Sequence, residues 1–393
     1  MNDVFIVSMA RTPIGSMSGS LSALSAVQLG TTVIKSAIER AGITGNDVNE
    51  VFMGNVLTAN NGQAPARQAA LAAGVNEGAP CTTINKVCAS GLKAIMLGVQ
   101  AIKLGDAAVV VAGGMESMTN APFYMAKGRS GYRFGNAELI DGIVRDGLQD
   151  PYKKHMMGVS AEICSDGCNI DREAQDAYAV ESYKRAIAAY ENGHFADELV
   201  SVEIPQRRGD AVVVSDDDEY KKIKWEKVST VRSAFKKDGT VTAVNASKIN
   251  DGAAAVVLMS GAMVEKLGVK PLAKVLSYAD AAQEPDWFTT SPALAIPKAL
   301  DKAGVAIGDV DKFEINEAFS VVAIANNQKL ELDTAKVNVL GGAVSLGHPI
   351  GASGARIACT LISALKHKGG KIGATGICNG GGGASAMVIE YLG

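Results

Sequence analysis

Two stretches of this sequence each recur, in similar form, about 260 residues further along the chain. Residues 39–55, "ERAGITGNDVNEVFMGN", align without gaps with residues 301–317, "DKAGVAIGDVDKFEINE", at an offset of 262. Residues 88–114, "CASGLKAIMLGVQAIKLGDAAVVVAGG", align with residues 351–377, "GASGARIACTLISALKHKGGKIGATGI", at an offset of 263. An offset that holds within one residue over this distance is hard to obtain by chance. We interpret the chain as two duplicated copies of one βα unit.

The repeated unit predicts the fold class. Short β-branched runs at 4–7 and 109–112 in the first copy, and at 313–315 and 372–377 in the second, alternate with segments of helical apolar period. Alternating strands and helices indicate sheets covered by helices, a layered α/β fold. The expected first half is residues 1–119 with 241–269, whose 241–259 part is a further helix or strand, and the second half is residues 270–393.

Residues 120–240 have no counterpart in the second copy. They carry charged, aromatic and turn-rich stretches such as "RSGYRFG" and "SDDDEYKKIKWEKV", and a helix is predicted over 172–192 with Asp171 as its N-cap. Long excursions from a compact scaffold are usually lids or binding loops. We therefore expect an inserted loop domain that serves binding.

Composition excludes several function classes. The 393 residues are 47% hydrophobic and 20% charged, and the formal net charge is -3. Because the acidic and basic residues are interspersed, neither a nucleic acid nor a membrane surface is the expected partner. No apolar run approaches the roughly 20 residues that span a bilayer. No targeting segment is visible, and six cysteines without a secretory signal favour reduced thiols, so the expected location is cytoplasmic.

The strongest chemical candidate is Cys88, in "NKVCASG". It lies between a strand-like run and a helical pattern, where a helix N-terminus favours the thiolate that attacks carbonyls. The alternative is a small buried hydrophobic residue. Its counterpart in the second copy falls inside "GGAVSLGHPIGASGA", where His348 must lie in a turn among glycines and a proline. The repeat symmetry would bring the two together as a nucleophile and its base.

Two further stretches follow strands. Cys378 precedes four glycines in "CNGGGGAS", where backbone N–H groups can approach a substrate as an oxyanion hole requires. Asn316 ends a strand in "EINEAF", where its amide could orient a water or a histidine, or simply cap a turn. No phosphate-binding glycine motif is present, which argues against nucleotide binding of those kinds.

The motifs "NKVCASG", "NEAF", "NVLGGAVSLGHPIGASGAR" and "CNGGGGAS" resemble, in order and spacing, the four signature blocks of the thiolase family over essentially the whole chain. The resemblance implies the thiolase-like layered α-β-α-β-α fold. It also implies that Cys88 accepts the acyl group, His348 activates it, and Cys378 is the second acid/base. By similarity, Asn316 holds a water for one oxyanion hole, and the N–H groups of Cys88 and Gly380 form the other.

The resemblance also implies binding residues. The loop domain would hold the pantetheine arm of coenzyme A, with Lys221, Lys222 and Lys224 as candidates for its phosphates, although a solvated charge run is the alternative. Acyl-CoA contacts are expected from a larger set: Met157, Lys222, Phe235, Ala243, Ser247, Ala318 and Phe319. His155 stands one residue before the place where many short-chain members carry a histidine, which argues against a substrate role.

No metal is required by this chemistry, but potassium-activated relatives imply an optional ion site. Its expected surroundings are Tyr183, Ala243, Val244, Ala246 and Val344. Some of those relatives have Phe-Pro where this chain has Phe288-Thr289, so potassium sensitivity does not transfer directly.

The expected reaction is the reversible Claisen condensation of two acetyl-CoA to acetoacetyl-CoA and CoA, ping-pong through an acetyl-Cys88 thioester. The long matches "GQAPARQAALAAG" and "NASKINDGAAAVVL" resemble the acetoacetyl-CoA branch of the family. The alternative is a broader-chain 3-ketoacyl-CoA thiolase of fatty-acid degradation. A homotetramer, built as a dimer of dimers, and a role in mevalonate supply are further implications of the resemblance.

Overall fold

The repeat in the sequence becomes a repeat of elements in space. The computed structural model describes residues 3–393. Its strands are β1 Val4–Arg11, β2 Gly15–Ser16, β3 Glu50–Gly54, β4 Cys81–Ile84, β5 Val109–Ser117, β6 Phe123–Tyr124, β7 Ile140–Asp141, β8 Val202–Ile204, β9 Val212–Val214, β10 Asn250–Ser260, β11 Ala273–Ala282, β12 Lys312–Ile315, β13 Ile372–Asn379 and β14 Gly383–Tyr391. Its α-helices are α1 Ala26–Arg40, α2 Pro65–Ala72, α3 Ser90–Leu104, α4 Met157–Cys168, α5 Arg172–Glu191, α6 Gly261–Leu267, α7 Pro292–Ala303, α8 Ser320–Lys329, α9 Ala343–Leu346 and α10 Ser353–Lys368.

The strands of both copies form one sheet in the order β12-β13-β14-β11-β1-β10-β5-β3-β4, with β2 paired to β10. The copies join where β1 runs antiparallel to β11, through the pairs Phe5 with Lys274 and Ile6 with Ala273. Equivalent strands keep the offset seen in the sequence, since β3 matches β12 and β5 matches β13. Each copy therefore contributes one part of the sheet.

Both faces of each part are covered, which explains why the strands read as nearly continuous apolar runs. In β10, Ala255 and Val257 face a core shared with α1 and α2, whereas Val256 and Leu258 face a core shared with α3 and α10. In the second copy, the outer face packs against α7. The two parts of the sheet thus form two separate layers, with α3 and α10 between them and further helices outside each. The layers are helix, sheet, helix, sheet, helix, and the expected α-β-α-β-α fold is confirmed.

Helices α3 and α10 form the central layer. Residues 87–104, which contain α3, are apolar and long enough to cross a membrane by composition, but 61% of that window is buried inside the protein. Its burial is that of a core helix, closed at its C-terminus by Gly105 in the left-handed conformation (φ 86°).

The inserted residues carry α4, α5 and two small hairpins, β6–β7 and β8–β9. Helix α5 begins at Arg172, and its N-cap Asp171 accepts a hydrogen bond from the backbone N–H of Ala174 at 2.8 Å, so the predicted helix and cap are confirmed. Residues 241–249 form a loop and β10 follows, so the 241–259 stretch is a strand only in its second part.

Candidate active site

The N-termini of the two central helices touch at a pair of equivalent glycines. A Cβ atom on Gly91 would lie 2.7 Å from the backbone nitrogen of Ala355, and one on Gly354 would lie 2.3 Å from that of Leu92. Only glycine permits this approach of backbone to backbone. It brings together the two loops that precede the helices, which carry Cys88 and His348.

A cavity of about 330 Å³ opens at this junction. Both copies and the inserted segment contribute to its walls, which are mainly apolar. It is lined by Cys88, Met118, Gly147, Leu148, Met156, Met157, Gly158, Ala234, Phe235, Thr242, Ala243, Ala246, Ser247, Lys248, Ile249, Phe288, Ala318, Phe319, His348, Ile350 and Gly380. An apolar pocket with a few convergent polar groups is the usual form of a small-molecule site.

Cys88 lies two residues before α3, after Val87 in the left-handed conformation (φ 48°). Burial raises the pKa of the Cys88 thiol to about 11, and the nearby backbone N–H groups of Gly380 and of Cys88 itself offset this only in part. The lowered pKa expected from a helix start is therefore wrong for the resting protein, because loss of solvent outweighs the helix terminus. The sulfur needs a base to become a nucleophile.

His348 has the tautomer of a base. Its Nδ1 lies 2.5 Å from the hydroxyl oxygen of Ser353, and that hydroxyl donates its own proton to the carbonyl of Pro349 at 2.9 Å. Nδ1 must therefore carry the hydrogen, which leaves Nε2 with a free lone pair. Among the residues that the structure describes, this buried Nε2 has no hydrogen-bond partner. Burial and the charge of Arg356 lower the pKa of His348 to about 3, so the ring is neutral.

Cys378 lies at the end of β13, fully buried and paired in register with Ala384 of β14. Burial raises the pKa of its thiol well above the ordinary value, and the neighbouring Cys88 and Cys164 raise it further. The cysteine predicted as a second acid/base is thus close enough to Cys88 for their charges to interact.

Asn316 follows β12, and its backbone N–H donates to the carbonyl of Gly376 at 2.9 Å. Its side chain is completely buried, yet neither the nitrogen nor the oxygen of its amide has a hydrogen-bond partner in the described residues. Buried amides are normally satisfied, so an unpaired one is suited to hold a water or a substrate oxygen. This favours the binding alternative over a turn cap.

Most of the expected acyl-CoA residues line the cavity. Met157 begins α4 and its sulfur lies 3.5 Å from where a Cβ of Gly380 would be. The rings of Phe235 and Phe319 pack edge to face with centroids 6.1 Å apart. Ser247 is fixed by two hydrogen bonds to the carbonyl of Ala318, from its N–H at 3.1 Å and its hydroxyl at 2.8 Å.

Two other residues considered from the sequence, Lys222 and His155, lie elsewhere. Lys222 does not line the cavity; its ammonium contacts the hydroxyl of Ser16 and lies 3.9 Å from Glu219. His155 is also outside the cavity, with Nε2 3.0 Å from the hydroxyl of Ser160 and 3.3 Å from Asp286. The structure therefore does not bring either side chain to the reacting groups.

The place expected for potassium is taken by a lysine. The ammonium of Lys248 lies 2.7 Å from the carbonyl oxygen of Ala246, 3.1 Å from that of Val344 and 3.4 Å from that of Val244, over the Tyr183 ring. Ala243 lines the substrate cavity instead. A metal cation does not fit beside an ammonium at these oxygens, so the residues present do not accommodate potassium in this arrangement.

A basic groove adjoins the cavity and was missed from the sequence. It shares Ala234 and Phe235 with the cavity and adds four cationic side chains, those of Arg172, Arg232, Lys236 and Lys237. Arg172 forms a salt bridge with Asp176, and Lys236 forms one with Asp166. The signal was present in "VRSAFKKDG", where basic residues flank Phe235 on both sides.

Comparisons with known proteins agree with this geometry. Residues 4–262 match the thiolase N-terminal domain and residues 269–391 the thiolase C-terminal domain. A cytosolic acetyl-CoA acetyltransferase of Gibberella zeae is 58% identical over 99% of this chain and 98% of its own. A mitochondrial acetyl-CoA acetyltransferase of Xenopus tropicalis is 53% identical over 100% and 93%. The crystal structure of a thiolase from Ascaris suum in complex with coenzyme A superposes with a TM-score of 0.95, at 48% identity over 99% of this chain and 100% of that one. The chain therefore belongs to the thiolase family.

Proposed function

We propose that this protein is an acetyl-CoA C-acetyltransferase, which interconverts two acetyl-CoA with acetoacetyl-CoA and CoA. The observation that carries the proposal is that the thiol of Cys88 and the neutral ring of His348, with its lone pair on Nε2, line one apolar cavity. A thiol with a raised pKa beside an unprotonated imidazole suits a nucleophile that is activated only when substrate is in place.

Thiolysis starts from the resting protonation states. Nε2 of His348 takes the proton of Cys88 as its sulfur attacks the keto carbon of acetoacetyl-CoA. The carbon–carbon bond then breaks, leaving acetyl-Cys88 and the enolate of acetyl-CoA. Cys378 gives its proton to the enolate carbon, and the proton that His348 took from Cys88 then passes to the Cys378 thiolate. A buried thiol whose pKa is raised suits this role, because it stays protonated until the carbanion forms.

The second half of the reaction transfers the acetyl group to CoA. His348 takes the thiol proton of CoA, the resulting thiolate attacks the thioester carbonyl, and Cys88 leaves and recovers the proton. Two sets of donors suit the oxyanions that form. The backbone N–H groups of Cys88 and Gly380 lie near enough to the Cys88 sulfur to lower the pKa of its thiol, and the side-chain amide of Asn316 has no hydrogen-bond partner within residues 3–393. The same steps in reverse give condensation.

Coenzyme A would enter along the inserted segment. The apolar channel past Phe235 and Ser247 suits the uncharged pantetheine arm, and the adjoining groove with Arg232 and Lys237 suits its phosphates. Lys222 is also a phosphate candidate, but it ranks below Arg232 and Lys237 because its side chain lies outside both the cavity and the groove. CoA is a substrate and product here, and the proposed chemistry needs no separate cofactor.

Chain length is decided by the walls beside the nucleophile. Met157 stands against Gly380, and Phe319 is backed by Phe235, so the acyl end of the cavity has bulky side chains on two sides. These contacts favour acetyl and acetoacetyl groups over the longer chains of a broader 3-ketoacyl-CoA thiolase.

Acetylation of Cys88 tests the proposal directly. The protein is incubated with acetyl-CoA, the modified residue is mapped by mass spectrometry, and thiolysis of acetoacetyl-CoA is compared with that of longer 3-ketoacyl-CoAs. We expect acetyl on Cys88 and a preference for acetoacetyl-CoA. An enzyme that is inert and unlabelled at Cys88 would contradict the mechanism.

Three variants separate the roles of the thiols. Cys88→Ser should lose both labelling and turnover. Cys378→Ser should still acetylate at Cys88 but lose carbon–carbon bond formation. Cys81→Ser is the matched control, because Cys81 is a partly buried thiol near Arg67 that lies outside the cavity. Full condensation activity in Cys378→Ser would assign the acid/base role to another group.

Assembly and location are part of the same proposal. We infer a homotetramer built as a dimer of dimers. It is supported by the edge strand β4, paired on one side only to β3, and by the exposed side chains of Phe123, Met125 and Phe134 around the β6–β7 hairpin. Light scattering would measure the mass. A cytoplasmic location is supported by the cytosolic relative, and fluorescence microscopy of the tagged protein tests it. A role in mevalonate supply is supported by the family resemblance of the sequence motifs alone.

A further inference from the structure

Lys248 is a buried cation with an unusual set of partners. The ammonium of Lys248 is surrounded by the main-chain carbonyls of Ala246, Val344 and Val244 at 2.7, 3.1 and 3.4 Å. The centroid of the Tyr183 ring lies 5.5 Å away. Within residues 3–393, no carboxylate lies within 4.0 Å of this ammonium. Buried lysines normally require a pairing anion.

This arrangement has the chemistry of a monovalent-cation site. Converging carbonyl oxygens and an aromatic face bind cations through dipoles and a quadrupole rather than through a counter-ion. Two buried carboxylates, Glu219 and Glu317, act from a greater distance and favour the charged form. Burial lowers the pKa of Lys248 to about 8, so the ammonium form predominates at neutral pH.

The carbonyls of Ala246, Val344 and Val244 and the Tyr183 ring form a cage around the Lys248 ammonium. This cage joins two segments that line or lead to the substrate cavity. On one side, Ala246 and Ser247 line the substrate cavity. On the other side, Val344 belongs to the short helix α9, which leads through Gly347 to His348. The N–H of Val344 donates to Glu317 at 3.0 Å while its carbonyl accepts from Lys248. The Val344 peptide is therefore held at both ends, which fixes the chain just before the base.

We propose that Lys248 is a positioning residue whose tethered ammonium does the work of a bound monovalent metal ion, so that the enzyme is independent of potassium. The ammonium is similar in size to potassium and accepts the same oxygen ligands. Because it is attached to the chain, it loses no translational freedom on binding and cannot dissociate. The kinetic readout of this inference rests on the proposed function, but its binding readout does not.

Three variants and one change of salt test the proposal. Activity is measured in potassium chloride and in N-methylglucamine chloride, whose cation is too large for the cage. The activity of the wild-type enzyme should differ by less than about twofold between the two salts. In N-methylglucamine, Lys248→Ala should raise KM for acetoacetyl-CoA about tenfold, because Ala246 and Ser247 line the substrate cavity. The change in kcat should be smaller, because His348 lies four residues beyond Val344. Potassium or ammonium should restore KM of Lys248→Ala to within about twofold of wild type.

Lys248→Met is the matched variant. The unbranched apolar side chain of methionine fills the space of the lysine side chain without a charge. The KM of Lys248→Met should therefore rise, and potassium should not restore it. Lys35→Ala, which removes an exposed lysine on α1, should behave as wild type in both salts. Severalfold activation of wild type by potassium would overturn the proposal, and so would a Lys248→Ala variant that equals wild type in N-methylglucamine or that no monovalent cation rescues.

A melting experiment gives a readout that needs no catalysis. Thermal unfolding of Lys248→Ala should shift upward in potassium or rubidium over N-methylglucamine at equal ionic strength, because a ligand that binds only the folded state stabilises it. Wild type and Lys248→Met should show no such shift. If Cys88 fails to acetylate while the shift is found, the proposed function fails and the cation cage stands. A shift of equal size in wild type would overturn the inference even if Cys88 is acetylated.

Discussion

Removing the hydroxyl of Ser353 should slow acylation of Cys88 without unfolding the protein. In the resting state this hydroxyl accepts the Nδ1 proton of His348 at 2.5 Å and so leaves Nε2 free to act as the base. When Nε2 takes the proton of Cys88, the ring becomes an imidazolium and the bond from Nδ1 becomes charge-assisted, which makes it roughly twice as strong as a neutral bond. Ser353→Ala therefore loses more in the transition state than in the resting state.

The size of the effect follows from that difference. A neutral hydrogen bond is worth about 1 kcal/mol net and one to a charged group about 2 to 3 kcal/mol, so the differential loss is about 1 to 2 kcal/mol. At 1.36 kcal/mol per factor of ten, acylation slows by about 5- to 30-fold. The assay is single-turnover release of CoA from acetyl-CoA, with KM for acetyl-CoA expected to change little.

The control lies on the same helix. Ser363 is as buried as Ser353, but its hydroxyl donates to Glu198 at 2.8 Å and does not contact His348. Ser363→Ala should lower thermal stability and leave the acylation rate of folded enzyme near that of wild type. Acylation at the wild-type rate in Ser353→Ala would refute the reasoning, as would an equal slowing in both variants.

Three further outcomes follow from the site. With a pKa of about 11, only about one Cys88 in 10⁴ is a thiolate at pH 7, so alkylation by iodoacetamide should rise about tenfold per pH unit from 7 to 9; a plateau below pH 8 would show a preformed ion pair. Gly158→Ala places a Cβ 2.2 Å from the Phe235 ring and should raise KM for acyl-CoA about tenfold by displacing the pantetheine wall, whereas Gly308→Ala, with no atom within 4 Å, should not. Met157→Ala should raise thiolysis of 3-ketohexanoyl-CoA relative to acetoacetyl-CoA about tenfold by removing bulk beside the nucleophile; an unchanged ratio would place the chain-length limit elsewhere.

Local patterns predicted the elements of this protein well. The strands at 109–112 and 372–377 lie within β5 and β13, and the Asp171 cap begins α5 as predicted. These signals are carried by neighbouring residues: apolar period, caps and glycines act within one element, so a sequence reading can find them. The same patterns did not predict how far each strand extends. The lengths of β10 and β14 depend on pairing with other strands, and β5, which pairs with β10, is distant in the chain.

The site was less completely predictable, because burial and charge depend on the whole fold. Cys88 was placed near a helix start, but its raised pKa comes from the apolar walls that other segments supply. Lys222 lies in a basic run that suggests a phosphate partner, yet its side chain turns to Ser16 and Glu219. Arg232 and Lys237 lie in the groove instead.

The sequence by itself determined the duplicated layered fold, and it predicted that Cys88 and His348 lie together, because the repeat places both at equivalent ends of equivalent helices. Only the tertiary structure decided the protonation of the two groups, since the Ser353 hydroxyl selects the tautomer of His348 and burial raises the pKa of the thiol. It also decided the position of Lys248. In the sequence this lysine is one charge in "NASKIND", and only folding brings it to the carbonyl of Val344, 96 residues away.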